Sequence, residues 1–154
     1  MNAATGDWAG SGYIRAFMAI DPSPGMKERL GRVQEELRRL DGGVRWVAPG
    51  IMHFTLAFLG DIPAGKVTPV AQAMDRICGA TASFSYEVTG IGFFGSRSSP
   101  RVIWAGIGTV PALQAMQEAL CAEIRKLDIT LDDRPFKPHL TLGRVRSIRN
   151  SGPF

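Results

Sequence analysis

The chain has two histidines, His53 and His139, and both stand in the same local pattern. Residues 52–59 read Met-His-Phe-Thr-Leu-Ala-Phe-Leu, and residues 138–145 read Pro-His-Leu-Thr-Leu-Gly-Arg-Val. Each histidine is followed by an apolar residue, then Thr, then Leu. A match of this kind around both copies of a rare residue favours a duplicated unit over coincidence. Both copies read as strands, in which successive side chains point to opposite faces. His53 and Thr55 then share one face, as do His139 and Thr141. Phe54, Leu56, Leu140 and Leu142 turn the other way, toward a core. Each strand offers an imidazole and a hydroxyl about 7 Å apart, two strand rises.

Two such strands facing one another suit phosphoryl chemistry. A neutral imidazole can take a proton from attacking water while an imidazolium opposite gives one to the leaving oxygen. Threonine hydroxyls can donate to the non-bridging oxygens, where charge builds in the transition state. A cyclic phosphate fits this arrangement, because entry of water and departure of the ring oxygen need groups on opposite sides of phosphorus. A lone strand histidine is more often structural, but the repetition argues for catalysis. Zinc takes three or four ligands, and no Cys or acidic residue recurs in register with the repeat, so no metal and no cofactor are expected.

Other residues near these motifs carry weaker signals. Arg134-Pro-Phe-Lys-Pro leads into the second motif, and its prolines stiffen the approach. Arg134 can pair with a phosphate and Phe136 can stack on a base or ribose; away from the motif they would read as a surface charge and a core aromatic. Phe17 is a further candidate substrate contact. Trp46 and Trp104 read as core or groove-wall residues. Gly90-Ile-Gly-Phe-Phe-Gly95 matches the dinucleotide-binding spacing, but a loop at Ser96–Pro100 follows it where that fingerprint needs a helix. Asp132-Asp133 reads as a solvated turn.

The elements that must position these residues follow from pattern. Gly12–Ile20 reads as a strand, Val44–Val47 as a short one and Ile51–Leu59 as a strong one ended by Gly60-Asp61. Phe84–Val88 and Arg101–Ile107 read as strands separated by a loop at Gly95–Pro100, and Leu140–Val145 is the last strand. Helical periodicity runs through Lys27–Leu40, with Pro24 at the start and Gly42-Gly43 at the end, through Pro63–Cys78, and from Pro111 to Leu127. Leu131–Pro138 reads as irregular. Helical and short connections mix, which predicts one α+β domain over residues 1–154 with antiparallel pairing, residues 1–11 being flexible.

With 45% apolar and 21% charged residues, the 154-residue chain has the balance of a soluble globular protein. No apolar stretch approaches the roughly 18 residues of a membrane span, and the first residues lack a signal pattern, so a cytoplasmic location is expected. Cys78 and Cys121 lack zinc spacing and read as half-buried thiols in a reducing compartment. Eighteen Lys and Arg against fourteen Asp and Glu give a net charge of +4. That mild excess fits a phosphate or polyanion ligand without specifying one.

At His53-Phe-Thr-Leu and His139-Leu-Thr-Leu the chain resembles the two-histidine (2H) phosphoesterase superfamily. It is most similar there to the bacterial and archaeal RNA 2′,3′-cyclic phosphodiesterases, also called LigT-like 2′-5′ RNA ligases. Arg15–Ile20, Arg45–Gly60, Arg101–Gly106 and Arg134–Leu142 all share in the likeness, which runs from about residue 13 to 146. The resemblance implies two pseudo-symmetric lobes of mainly antiparallel sheet, with outer helices and a central active-site groove. It implies that His53 and His139 are acid and base, that Thr55 and Thr141 contact the phosphate, and that Arg134 and Phe136 hold the terminal nucleotide. The implied partner is RNA with a 2′,3′-cyclic phosphate end, opened to a 2′-phosphate, with 2′-5′ joining as the reverse reaction; no obligate protein partner is implied. Small cyclic nucleotides or 2′-5′ oligoadenylate are alternative substrates, and a non-catalytic RNA- or nucleotide-binding module is the alternative of another class. Gly50 stands where such proteins often carry an acidic residue. They also usually continue past the second motif with further strands, so a lobe left with an unpaired edge here would invite dimerisation or strand exchange.

Overall fold

A computed structural model describes residues 12–39 and 43–146. The expectations of flexibility at residues 1–11, of a helix end at Leu40 and Gly42, and of an edge created after residue 146 fall outside the described residues. The elements, in chain order, are β1 (Tyr13–Ile20), α1 (Pro24–Arg38), β2 (Val44–Trp46), β3 (Phe54–Pro63), α2 (Val67–Ala80), β4 (Val88–Ser96), β5 (Ser99–Ile107), α3 (Pro111–Arg125) and β6 (His139–Val145). Single 3₁₀ turns at Pro49–Ile51 and Ala64–Lys66 precede β3 and α2. The expected α+β class with antiparallel pairing holds.

The chain divides into two compact units. The first takes residues up to Ile20, Thr55–Tyr86 and Thr109–Lys137. Here β1 lies beside β3, and α2 and α3 supply the apolar core residues Val70, Ala73, Leu113, Met116, Leu120 and Ile124. Pro111 opens α3, where its missing N–H has no intrahelical partner to lose. Asp128, with φ at 54°, turns the chain after that helix, and Lys66 Nζ donates to the carbonyls of Leu127 and Asp128 there. A lysine at the carbonyl end of a helix also suits the dipole. Gln117 Nε2 ties α3 to β3 through the Leu56 carbonyl at 3.1 Å.

The second unit takes Asp21–Phe54, Glu87–Gly108 and the chain from Pro138. Its sheet is antiparallel, with β6 between β2 and β5 and with β4 beyond β5. Ser23 caps α1, its side chain accepting from the Met26 N–H at 3.3 Å. Gly143 lets β2 close on β6: a Cβ there would lie 2.5 Å from Val44 Cγ1 and 3.1 Å from the Trp46 ring. That ring also carries the Arg38 guanidinium, 5.9 Å from its centre.

Three sequence expectations need correction. The strand expected at Phe84–Val88 lies instead at Val88–Ser96, and the expected loop shrinks to a tight turn at Arg97-Ser98. Glycines hid this strand, because glycine weakens strand propensity. Here two of them have a clear use: Gly90, at φ 68°, makes a bulge between Thr89 and Ile91, and Gly92 seats an indole ring. The strand expected to end at Gly60 runs on to Pro63, because Gly60 takes a positive φ within it and Ile62 is buried; α2 therefore starts at Val67 rather than Pro63. The same strand starts at Phe54, since Pro49–Ile51 forms a 3₁₀ turn.

Gly143→Ala should cost about 1–3 kcal/mol, as overpacking a tight contact does. The check is the urea midpoint, expected to fall at an unchanged slope; a wild-type midpoint would show that β2 does not depend on this approach.

Candidate active site

Burial alternates as the motif pattern requires. His53 and Thr55 are half-buried, whereas Phe54 and Leu56 are buried; His139 and Thr141 are half-buried, whereas Leu140 and Leu142 are buried. Within the second unit, Phe54 at the start of β3 pairs antiparallel with Leu140 of β6. That register sets His53 across from Thr141, on the side of the strands away from the core. His53 and His139 are then diagonal neighbours, about 7–8 Å apart at the backbone. Imidazoles at that spacing can reach one phosphorus from two sides.

The first imidazole is oriented by backbone. His53 Nδ1 lies 3.0 Å from the Ile51 carbonyl oxygen. A carbonyl only accepts, so Nδ1 carries the proton and donates. In the neutral ring Nε2 is then the nitrogen that carries no proton. The Pro49–Ile51 turn, immediately before the motif, supplies that carbonyl.

The second imidazole lies against aromatic rings. Phe94 meets His139 edge-on, at 4.8 Å between centres and 85° between planes, and Trp104 lies 6.3 Å away. Phe94 and Trp104 also touch, at 5.5 Å. The Trp104 ring covers two glycines: a Cβ on Gly92 would come within 2.4 Å of it, and one on Gly106 within 3.3 Å. Gly106 is the β5 partner of His139, and Trp104 is the partner of Thr141. Trp104 Nε1 is buried with no protein acceptor. Trp104, expected as a core or groove-wall residue, is a wall beside His139. Phe94 was missed, hidden in the glycine-rich stretch that resembles a dinucleotide fingerprint. The cross-strand pairing of Gly92 with Trp104 is the signal that would have exposed it.

The remaining candidates lie in the first unit. Thr55, two residues past His53, opens the second segment of that unit. Arg134 is exposed and engaged with Asp132: its backbone N–H donates to Oδ1 at 2.9 Å and its Nε to Oδ2 at 2.6 Å. This contact holds the Asp132 carboxyl below the usual range and raises the guanidinium further. Asp133 instead pairs with Arg125 at 3.4 Å, so the two carboxylates act separately on two arginines. Phe136 is half-buried in a cleft of about 250 Å³ that Arg134, Asp132 and Arg125 also line. Phe17 is 49% exposed and packs against Phe58, centres 6.2 Å apart. Among the described residues, no three His, Cys, Asp or Glu side chains converge where a metal ion could sit, and no helix is long and apolar enough to cross a membrane.

Residues 20–104 match the family model described as LigT like Phosphoesterase. A Thermotoga maritima protein named RNA 2′,3′-cyclic phosphodiesterase is 34% identical over 86% of this chain and 71% of its own length. One of the same name from Geobacillus stearothermophilus is 34% identical over 90% of this chain, which spans only 43% of that longer relative. The crystal structure of E. coli LigT complexed with 3′-AMP superposes with a TM-score of 0.70 at 26% identity, covering 93% of this chain and 78% of that one.

Replacing Phe94 by leucine should leave the fold intact and remove the edge contact on His139. The His139 ring-proton resonances are expected to move by NMR, and an unchanged His139 spectrum would show that Phe94 does not set that ring.

Proposed function

Because the chain belongs to the LigT-like phosphoesterase family, we propose that it hydrolyses 2′,3′-cyclic phosphate ends of RNA to 2′-phosphate ends. The observation that carries the reading is the antiparallel pairing of Phe54 with Leu140, which puts two histidine motifs side by side with both imidazoles turned from the core. The names of the relatives support the substrate.

In this reading a water molecule attacks phosphorus as one imidazole takes its proton. The bond from phosphorus to the ribose 3′ oxygen breaks, and the other histidine, as imidazolium, protonates that oxygen. The product keeps phosphate on the 2′ oxygen and gains a 3′ hydroxyl, and the histidine pair ends with its protons exchanged. At His53 the reactive nitrogen is Nε2, because Nδ1 is committed to the Ile51 carbonyl. Thr55 and Thr141 donate to the non-bridging oxygens. Arg134, Phe136 and Phe17 hold the terminal nucleotide, with Arg134 leaving Asp132 to meet the substrate. An RNA 5′ hydroxyl in place of water would leave a 2′-5′ linkage, the joining reaction. No metal enters any step. Cys78 and Cys121 are free thiols, which suits action on RNA in a reducing cytoplasm.

RNA ending in a 2′,3′-cyclic phosphate should be converted to a 2′-phosphate end, undiminished by EDTA. A 3′-phosphate product, or activity lost with the chelator, would overturn the mechanism. His53→Ala and His139→Ala should each lower kcat by a factor of about 10² to 10⁴, the usual worth of a general acid or base. Affinity for an RNA 2′-phosphate end, measured by calorimetry, should change little; variants that lose affinity and keep turnover would favour a binding role instead.

A further inference from the structure

We propose that one ridge of α1, formed by Lys27, Gly31 and Gln34, positions His53 by gripping the turn whose Ile51 carbonyl holds the imidazole; its catalytic consequence rests on the reading of His53 above. The three residues are spaced four and three apart and so form one stripe on the helix.

The grip shows when the carbonyls before His53 are followed one by one. Val47 oxygen accepts from Gln34 Nε2 at 2.7 Å. Ala48 oxygen accepts from the Ile51 N–H, and Pro49 oxygen from the Met52 N–H, both at 3.1 Å. Gly50 oxygen accepts from Lys27 Nζ at 2.9 Å. Ile51 oxygen accepts from His53 Nδ1. Five consecutive carbonyls thus have defined donors, two of them side chains of α1. Gly31 allows the close approach, since a Cβ there would lie 3.1 Å from Pro49 Cγ. Met52, 1% exposed, anchors the far end of the turn.

Gln34, 1% exposed, is a buried polar side chain among the described core residues. Its amide also donates to Leu142 oxygen at 2.7 Å, and that oxygen takes the Val47 N–H at 2.9 Å. Leu142 closes the second motif, three residues after His139. One side chain therefore holds the approach to the first motif against the strand of the second. Packing alone would be met by an apolar residue of the same size, and burying an amide is unfavourable unless its hydrogen bonds are made. Lys27 also pairs with Asp21 at 2.5 Å, which keeps its ammonium at the turn.

The consequence is tautomer control. While the Ile51 carbonyl is fixed, neutral His53 keeps its proton on Nδ1 and leaves Nε2 to act; a loosened turn lets the ring take the other tautomer. Lys27→Met removes one donor and keeps the stem, Lys27→Arg restores a donor, and Gln34→Met removes both amide donors. In ¹⁵N spectra of the histidine rings above their titration, the wild type should show His53 protonated on Nδ1, and Lys27→Met and Gln34→Met should show mixed tautomers. On RNA with a 2′,3′-cyclic phosphate, Lys27→Met should lower kcat about ten-fold, as small misplacements do, with KM within about two-fold and most activity recovered in Lys27→Arg. A wild-type His53 protonated on Nε2 would overturn the proposal without any variant, and so would folded Lys27→Met with wild-type tautomer and kcat. Absence of turnover in the wild type would count against the cyclic-phosphate reading alone, because the tautomer measurement needs no substrate.

Discussion

Phe54 and Leu140 stand opposite one another on antiparallel strands, each with no exposed surface. Much else follows from burying that pair. In a strand a one-residue slip turns every side chain to the other face. Burial of Phe54, Leu140 and Leu142 therefore compels His53, His139 and Thr141 to face away from the core, at the register in which one histidine lies across from the other motif's threonine. The apolar residues of the motif are as much a part of the site as the polar ones, since they set where the imidazoles can be.

Around that pair, the two rings have different neighbours. His53 is held by a backbone carbonyl at the end of a 3₁₀ turn. His139 meets Phe94 edge-on and lies beside Trp104, whose ring covers Gly92 and Gly106. A histidine bonded to a carbonyl has one nitrogen committed. Two motifs alike in sequence thus place one imidazole beside a backbone carbonyl and the other beside two aromatic rings.

The polar motifs and the three helices were legible in the sequence because they rest on local periodicity. His-x-Thr-Leu announces a half-buried strand, and Leu113, Met116, Leu120 and Ile124 announce the inner face of α3. What was not legible depends on long-range partners. Gln34 reads as one more polar position on a surface helix until Leu142, 108 residues away, supplies its acceptor. Gly92 reads as a strand breaker until Trp104 fills the space it leaves. Arg134 reads as a waiting cation, yet Asp132, two residues before it, already occupies the guanidinium.

The central claim is that His53 and His139 act together, one as base and one as acid. The pH dependence of kcat/KM on a 2′,3′-cyclic phosphate, compared between the wild type and the two single histidine-to-alanine variants, tests it most directly. The wild type should give a bell whose two apparent pKa values belong to the pair. The residual activity of each variant should lose one limb, a different one in each case. A bell retained in either variant would contradict the account.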